Sequence, residues 1–141
     1  MESHLTDITR VIQLAVAPVF LLTAIATMIN ALNSRLGRIV DRRRVVQERA
    51  ERQPVADAGE EIVMLKRRSA LVYYAIFCAV LSALLVCMVV AGAFLGALFG
   101  VDLARSVAAL FVAAMLAMIA ALGLFLREVF LAVRSGTHNQ P

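Results

Sequence analysis

Three long stretches without a single Asp, Glu, Lys or Arg decide what this chain can fold into. They lie between Arg10 and Arg35, between Arg68 and Asp102, and between Arg105 and Arg127, and they hold 24, 33 and 21 residues. A hydrocarbon core roughly 30 Å thick is crossed by about 20 helical residues at 1.5 Å each, so every stretch is long enough to span it. A barrel strand would instead show about 10 residues of alternating polarity, and none of the three stretches alternates. Apolar residues make up 62% of the chain, against roughly half in a soluble domain. The expectation is an all-α integral membrane protein with three transmembrane helices at about 11–34, 69–99 and 104–126, forming a single membrane domain over residues 1–141.

Charge is concentrated where the apolar stretches stop. Ten of the fourteen basic residues fall between Arg35 and Arg68, beside six acids. Short loops rich in Lys and Arg stay in the cytoplasm. That loop and the tail, with Arg127 and Arg134, hold twelve basic residues, against Arg10 and Arg105 on the other side. The loop and the C-terminus are therefore expected in the cytoplasm, and the N-terminus outside. The excess of +4 reads as membrane topology and lipid anchoring, with no nucleic-acid partner. A cleaved leader ending near Ala17 is disfavoured, because its n-region would carry Glu2 and Asp7 and Pro18 would follow at once. The first span is read as retained.

Helical spacing continues beyond the first span. Leu32, Leu36, Ile39, Arg43 and Val46 recur at intervals of three and four, with Glu48 and Arg52 placed as a supporting pair. Helix one is expected to start near Thr6 or Asp7, to bend near Pro18, and to run on to about Arg52. The turn signals from Gln53 to Gly59 separate it from a second helix that opens on Asp57 and Glu60. Residues 35–68 thus read as a long helical hairpin, a stalk projecting into the cytoplasm. Asp102 is placed to cap a third helix from Leu103 to about Arg134, and residues 137–141 are expected to be disordered.

Three sets of residues are candidates for function. Gly92, Gly96 and Gly100, at intervals of four, read as one smooth groove for close helix approach. Ala109, Ala113, Ala117 and Ala121 form the matching ridge, within one subunit or between subunits. Thr23, Thr27, Asn30 and Ser34 fall on one side of helix one, with Leu21, Ile25, Met28 and Leu32 opposite. That polar stripe reads either as interhelical hydrogen bonding or as the lining of a pore assembled from several copies. Arg35, Arg38, Arg42, Arg43 and Arg44, with Lys66, Arg67 and Arg68, form a basic collar for anionic lipid or an acidic cytoplasmic partner. Arg127, Glu128, Asp102 and Arg105 are expected to snorkel to the interface.

Signs of catalysis are lacking. His4 and His138 sit near opposite termini, and Cys78 and Cys87 are nine residues apart on one helix and cannot bridge. No metal-ligand cluster, phosphate loop or nucleophile elbow appears, so neither an enzyme nor a cofactor or metal is expected.

Val11 to Leu22 (VIQLAVAPVFLL), Asn33 to Arg42 (NSRLGRIVDR) and Leu126 to Ala132 (LREVFLA) together resemble a bacterial family of small three-span membrane proteins, catalogued as a domain of unknown function. The resemblance implies the bacterial cytoplasmic membrane and brings no activity or site with it. Three spans bury little surface within one subunit, so a homo-oligomer is expected, and two readings of it stay open: one that conducts a small ion or solute, and a scaffold or accessory subunit that binds a partner or anionic lipid through its basic stalk.

Overall fold

The computed structural model describes residues 2–54 and 56–136; for residues 2–5, 7 and 8 only the backbone is described. The chain is all-α, with α1 over Glu2–Arg52, α2 over Ala58–Phe99 and α3 over Ala104–Gly136. All three helices are long and apolar enough to cross a membrane, the pattern of a multi-pass membrane protein. α1 begins a turn earlier than the expected Thr6 or Asp7, and it stays helical through Pro18. The expected cap at Asp7, the two histidine side chains and the tail from Thr137 fall outside the described residues.

The helix ends follow local chemistry. Asp57 marks the start of α2, its carbonyl accepting the Glu61 N–H at 3.2 Å, and Glu60 and Glu61 place negative charge in the first turn, where the helix dipole favours it. α2 stops at Gly100, which takes φ +63°, a left-handed conformation that costs other residues about 1–2 kcal/mol. The Val101 N–H then donates back to the Gly96 carbonyl at 3.1 Å, the six-to-one bond that closes a helix C-terminus on a left-handed residue. At the next residue, Asp102 Oδ1 accepts the Ala104 N–H at 3.1 Å. α3 is therefore capped by the residue the sequence offered for it.

Buried positions recur every seven residues along each helix. On α1 they are Ile25, Leu32, Ile39 and Val46; on α2 Leu65, Val72, Ala79 and Val86, interleaved with Ala75, Ser82 and Val89; on α3 Ala114, Ala121 and Glu128. Seven residues fall only about 20° short of two turns, so such a line keeps one face inward for many turns. A step of four drifts by about 40° and leaves the face. This is why the alanine ridge is not the buried line: Ala109 is exposed, Ala113 and Ala117 are half-buried, and of that set only Ala121 is enclosed.

Packing divides the chain into two compact units, Met1–Met28 with Ala79–Ile119, and Ile29–Cys78 with Ala120–Pro141. In the first, Val11, Leu14, Ala15 and Pro18 of α1 border an apolar crevice with Val89, Val90, Ala93 and Phe94 of α2. The buried Ser82 hydroxyl donates to the Ala114 carbonyl at 2.8 Å, joining α2 to α3. The three glycines have different surroundings. A Cβ on Gly92 would meet Val107 Cγ2 at 3.2 Å, one on Gly96 would meet the Val101 carbonyl at 3.2 Å, and Gly100 has open space around it. In the second unit the segments of α1 and α2 that flank the turn are joined by Arg42, whose Nη2 lies 2.9 Å from Glu61 Oε1.

Candidate functional site

The second unit holds a charged centre that sequence reasoning assigned to solvent. Glu128 is expected to snorkel; instead it is completely buried. Its position explains the correction: it continues the inward line of Ala114 and Ala121 two turns on, so its side chain cannot turn outward while that line packs. A buried carboxylate requires compensation by charge and hydrogen bonds, and both neighbouring helices supply it. Arg35 of α1 donates through Nη1 to Glu128 Oε2. Arg68 of α2 donates through Nε at 3.2 Å and Nη2 at 2.9 Å to Oε1. The Arg35 guanidinium also lies 5.3 Å from the Phe125 ring centroid, within cation–π range. One carboxylate therefore ties three helices together.

The position of this clamp matters as much as its chemistry. Arg35 directly follows the first charge-free stretch, Arg68 directly precedes the second, and Glu128 lies two residues after the third. The ion pairs bring these three boundaries to one place.

Around the clamp opens a cleft of about 240 Å³ lined by Arg35, Arg38, Ile39, Arg42, Leu65, Arg68, Glu128 and Ala132. Arg35 and Arg68 remain 32% and 20% exposed, so both guanidiniums are only partly consumed by Glu128. Arg38 is exposed and has no acidic partner among the described residues. The basic collar is thus sorted: Arg35, Arg38, Arg42 and Arg68 share the cleft, whereas Arg43, Arg44, Lys66 and Arg67 lie outside its walls. Beside it, a wider recess of about 590 Å³ shares Arg42 and Arg68 and is bordered by Asp57, by Glu60 and Glu61 of α2 and by Leu131 and Arg134 of α3.

The polar stripe has a different setting. Thr23, Thr27, Asn30 and Ser34 are all exposed, opposite the buried Ile25 and Leu32. The Thr23 and Thr27 hydroxyls donate to the carbonyls four residues earlier, Val19 at 3.2 Å and Thr23 at 3.0 Å. No cluster of three or more His, Cys, Asp or Glu side chains able to hold a metal occurs among the described residues. Cys78 and Cys87 are free thiols.

No curated protein and no solved structure significantly matches the chain. Residues 15–137, which include all of the cleft and the whole of α2, match the family described as protein of unknown function (DUF2721). The family anticipated from the three sequence fragments is therefore the right one, and the chain belongs to DUF2721.

Proposed function

We propose that this protein is a non-enzymatic scaffold of the bacterial cytoplasmic membrane, which holds a rigid basic stalk against the cytoplasmic face for anionic lipid or an acidic partner. The observation that carries the reading is the Glu128 clamp, because it joins Arg35 and Arg68 where the three charge-free stretches end. A flexible loop would need no such junction; a surface that must present its arginines in fixed positions does. Tyr73 and Tyr74, exposed within two turns of Arg68, support the same depth, since tyrosine rings collect at the bilayer interface. The Lys and Arg distribution supports a cytoplasmic stalk with the N-terminus outside.

Topology is tested with a single cysteine at Arg44 in a cysteine-free background. Labelling by a membrane-impermeant thiol reagent is expected only after cells are permeabilised; labelling of intact cells would place the stalk outside and end the proposal. A photocrosslinker at Glu48 is expected to capture lipid or another protein, and recovery of nothing but copies of this chain would also count against a scaffold.

A second reading, an oligomeric conduit, draws support from the exposed stripe. Asn30 faces away from its own helices, and a carboxamide at membrane depth seeks a partner or water. In this reading several copies bring Asn30 to a shared polar axis. Ion flux in proteoliposomes that Asn30→Leu leaves unchanged removes this reading.

A further inference from the structure

We propose that the cleft around Arg35, Arg38, Arg42 and Arg68 is a binding site for a phosphate group, supplied by the headgroup of an anionic lipid or by a free phosphate compound, with Glu128 as its positioning residue. The inference takes from the scaffold reading only the membrane-surface location of the cleft; the binding chemistry stands on the geometry alone.

The cleft is unevenly charged. Four guanidiniums line its walls against one lining acid, Glu128, with Glu61 paired to Arg42 from the adjoining recess that Asp57 and Glu60 also border. Two positive charges are left over, which suits one phosphate. Their donors are also left over. Glu128 engages one terminal nitrogen of Arg35, and it engages Nε and Nη2 of Arg68. Each guanidinium carries five N–H groups in a planar fork shaped for phosphate or carboxylate oxygens. Arg38 contributes its whole fork. Arg35, Arg38 and Arg42 follow spacings of three and four on α1, which stack them along one helix face.

Glu128 explains why the arrangement is a site and not a patch of mutually repelling side chains. By pulling Arg35 and Arg68 from two helices onto one buried carboxylate, it fixes two guanidiniums whose like charges would otherwise drive them apart. Ile39, Leu65 and Ala132 supply an apolar wall on one side, which lowers the local dielectric beside the charge-assisted bonds. A lipid offers its phosphate next to acyl chains, and the cleft is lined by Arg35, Arg68 and Glu128, which stand at or within two residues of the ends of the three charge-free stretches.

The test uses the full chain in nanodiscs of phosphatidylcholine doped with either phosphatidylglycerol or phosphatidic acid, and in detergent micelles with inorganic phosphate. Bound lipid is read by native mass spectrometry and phosphate binding by titration calorimetry. Arg38→Gln touches no ion pair and is expected to weaken binding of the phosphate-bearing probe about tenfold, the loss of one charge-assisted contact. Arg44→Gln and Lys66→Gln, equal in charge change but outside the cleft, are expected to leave it unchanged. Glu128→Gln is expected to weaken binding although it adds positive charge, a direction that simple electrostatics predicts to be opposite. Lipid binding without phosphate binding assigns the headgroup as the source; phosphate binding in micelles alone assigns a free compound. Equal losses in the Arg38, Arg44 and Lys66 variants, tighter binding by Glu128→Gln, or no binding of any probe overturns the site. Failure of the cytoplasmic topology would not, because binding in micelles does not depend on orientation.

Discussion

The two units use the same three helices but hold them by different means. In the unit of Ile29–Cys78 and Ala120–Pro141, neighbouring helices are joined by Arg35, Arg68 and Glu128 and by Arg42 with Glu61. In the unit of Met1–Met28 and Ala79–Ile119, the contacts are a glycine against Val107, a serine hydroxyl on a carbonyl, and apolar side chains. Between lipid-bathed helices there is no hydrophobic push, so close approach and shared hydrogen bonds must do the joining. Small residues permit many registers. Two forks on one carboxylate permit very few, and so register in this protein is set by charge where the arginines are and by shape where they are not.

The largest test of this contrast is Glu128→Leu. Removing the carboxylate leaves two part-buried guanidiniums without their partner, and a loss of about 3–5 kcal/mol is expected, read as a lowered melting midpoint in detergent. Replacing all three residues together, with Arg35→Met and Arg68→Met, is expected to restore most of it, since an apolar core of similar volume needs no pairing. An unchanged midpoint in the single variant would remove charge as the source of register.

Gly92→Leu probes the other unit. Its side chain has to displace Val107, and overpacking of that kind costs about 1–3 kcal/mol. Gly123, which has nothing within 4 Å, provides the control: Gly123→Leu is expected to melt no lower than the wild-type chain. If both variants lose stability equally, close approach at Gly92 is not what joins these helices.

Smaller effects sharpen the comparison. Ser82→Ala loses the hydrogen bond to the Ala114 carbonyl, and about 0.6 kcal/mol is expected for such a bond between apolar helices. Arg42→Gln breaks a pair whose side chains are 51% and 42% exposed. Screening leaves such pairs a few tenths of a kcal/mol, about 0.2–1 in general, so its melting curve should nearly overlay that of the wild type. A large loss for Arg42→Gln would mean that the stalk hairpin is more shielded than its exposure indicates.

Much of this architecture is legible in the residues. Three helices, the turn after Arg52 and the cap at Asp102 follow from charge gaps, turn chemistry and spacing, whereas the inward side of α1 at Ile25 and Leu32 comes from packing. Glu128 was missed because it stands beside Arg127 at the edge of an apolar stretch, where a charged residue ordinarily reaches water. Its partners are 93 and 60 residues away, and no local pattern points to them. A signal was nonetheless present: counting in sevens along α3 from Ala114 through Ala121 ends on Glu128. The same count, applied in place of intervals of four, would also have separated the buried face from the alanine ridge.

The sequence alone determined the number of helices, the length and apolarity that let each cross a membrane, and the ends at Arg52 and Asp102, since each depends on a charge gap or a few adjacent residues. Which arginines would converge, and on which carboxylate, was decided only by tertiary structure. Ion pairing among part-buried groups depends on distances between helices far apart in the chain, and only packing sets those distances.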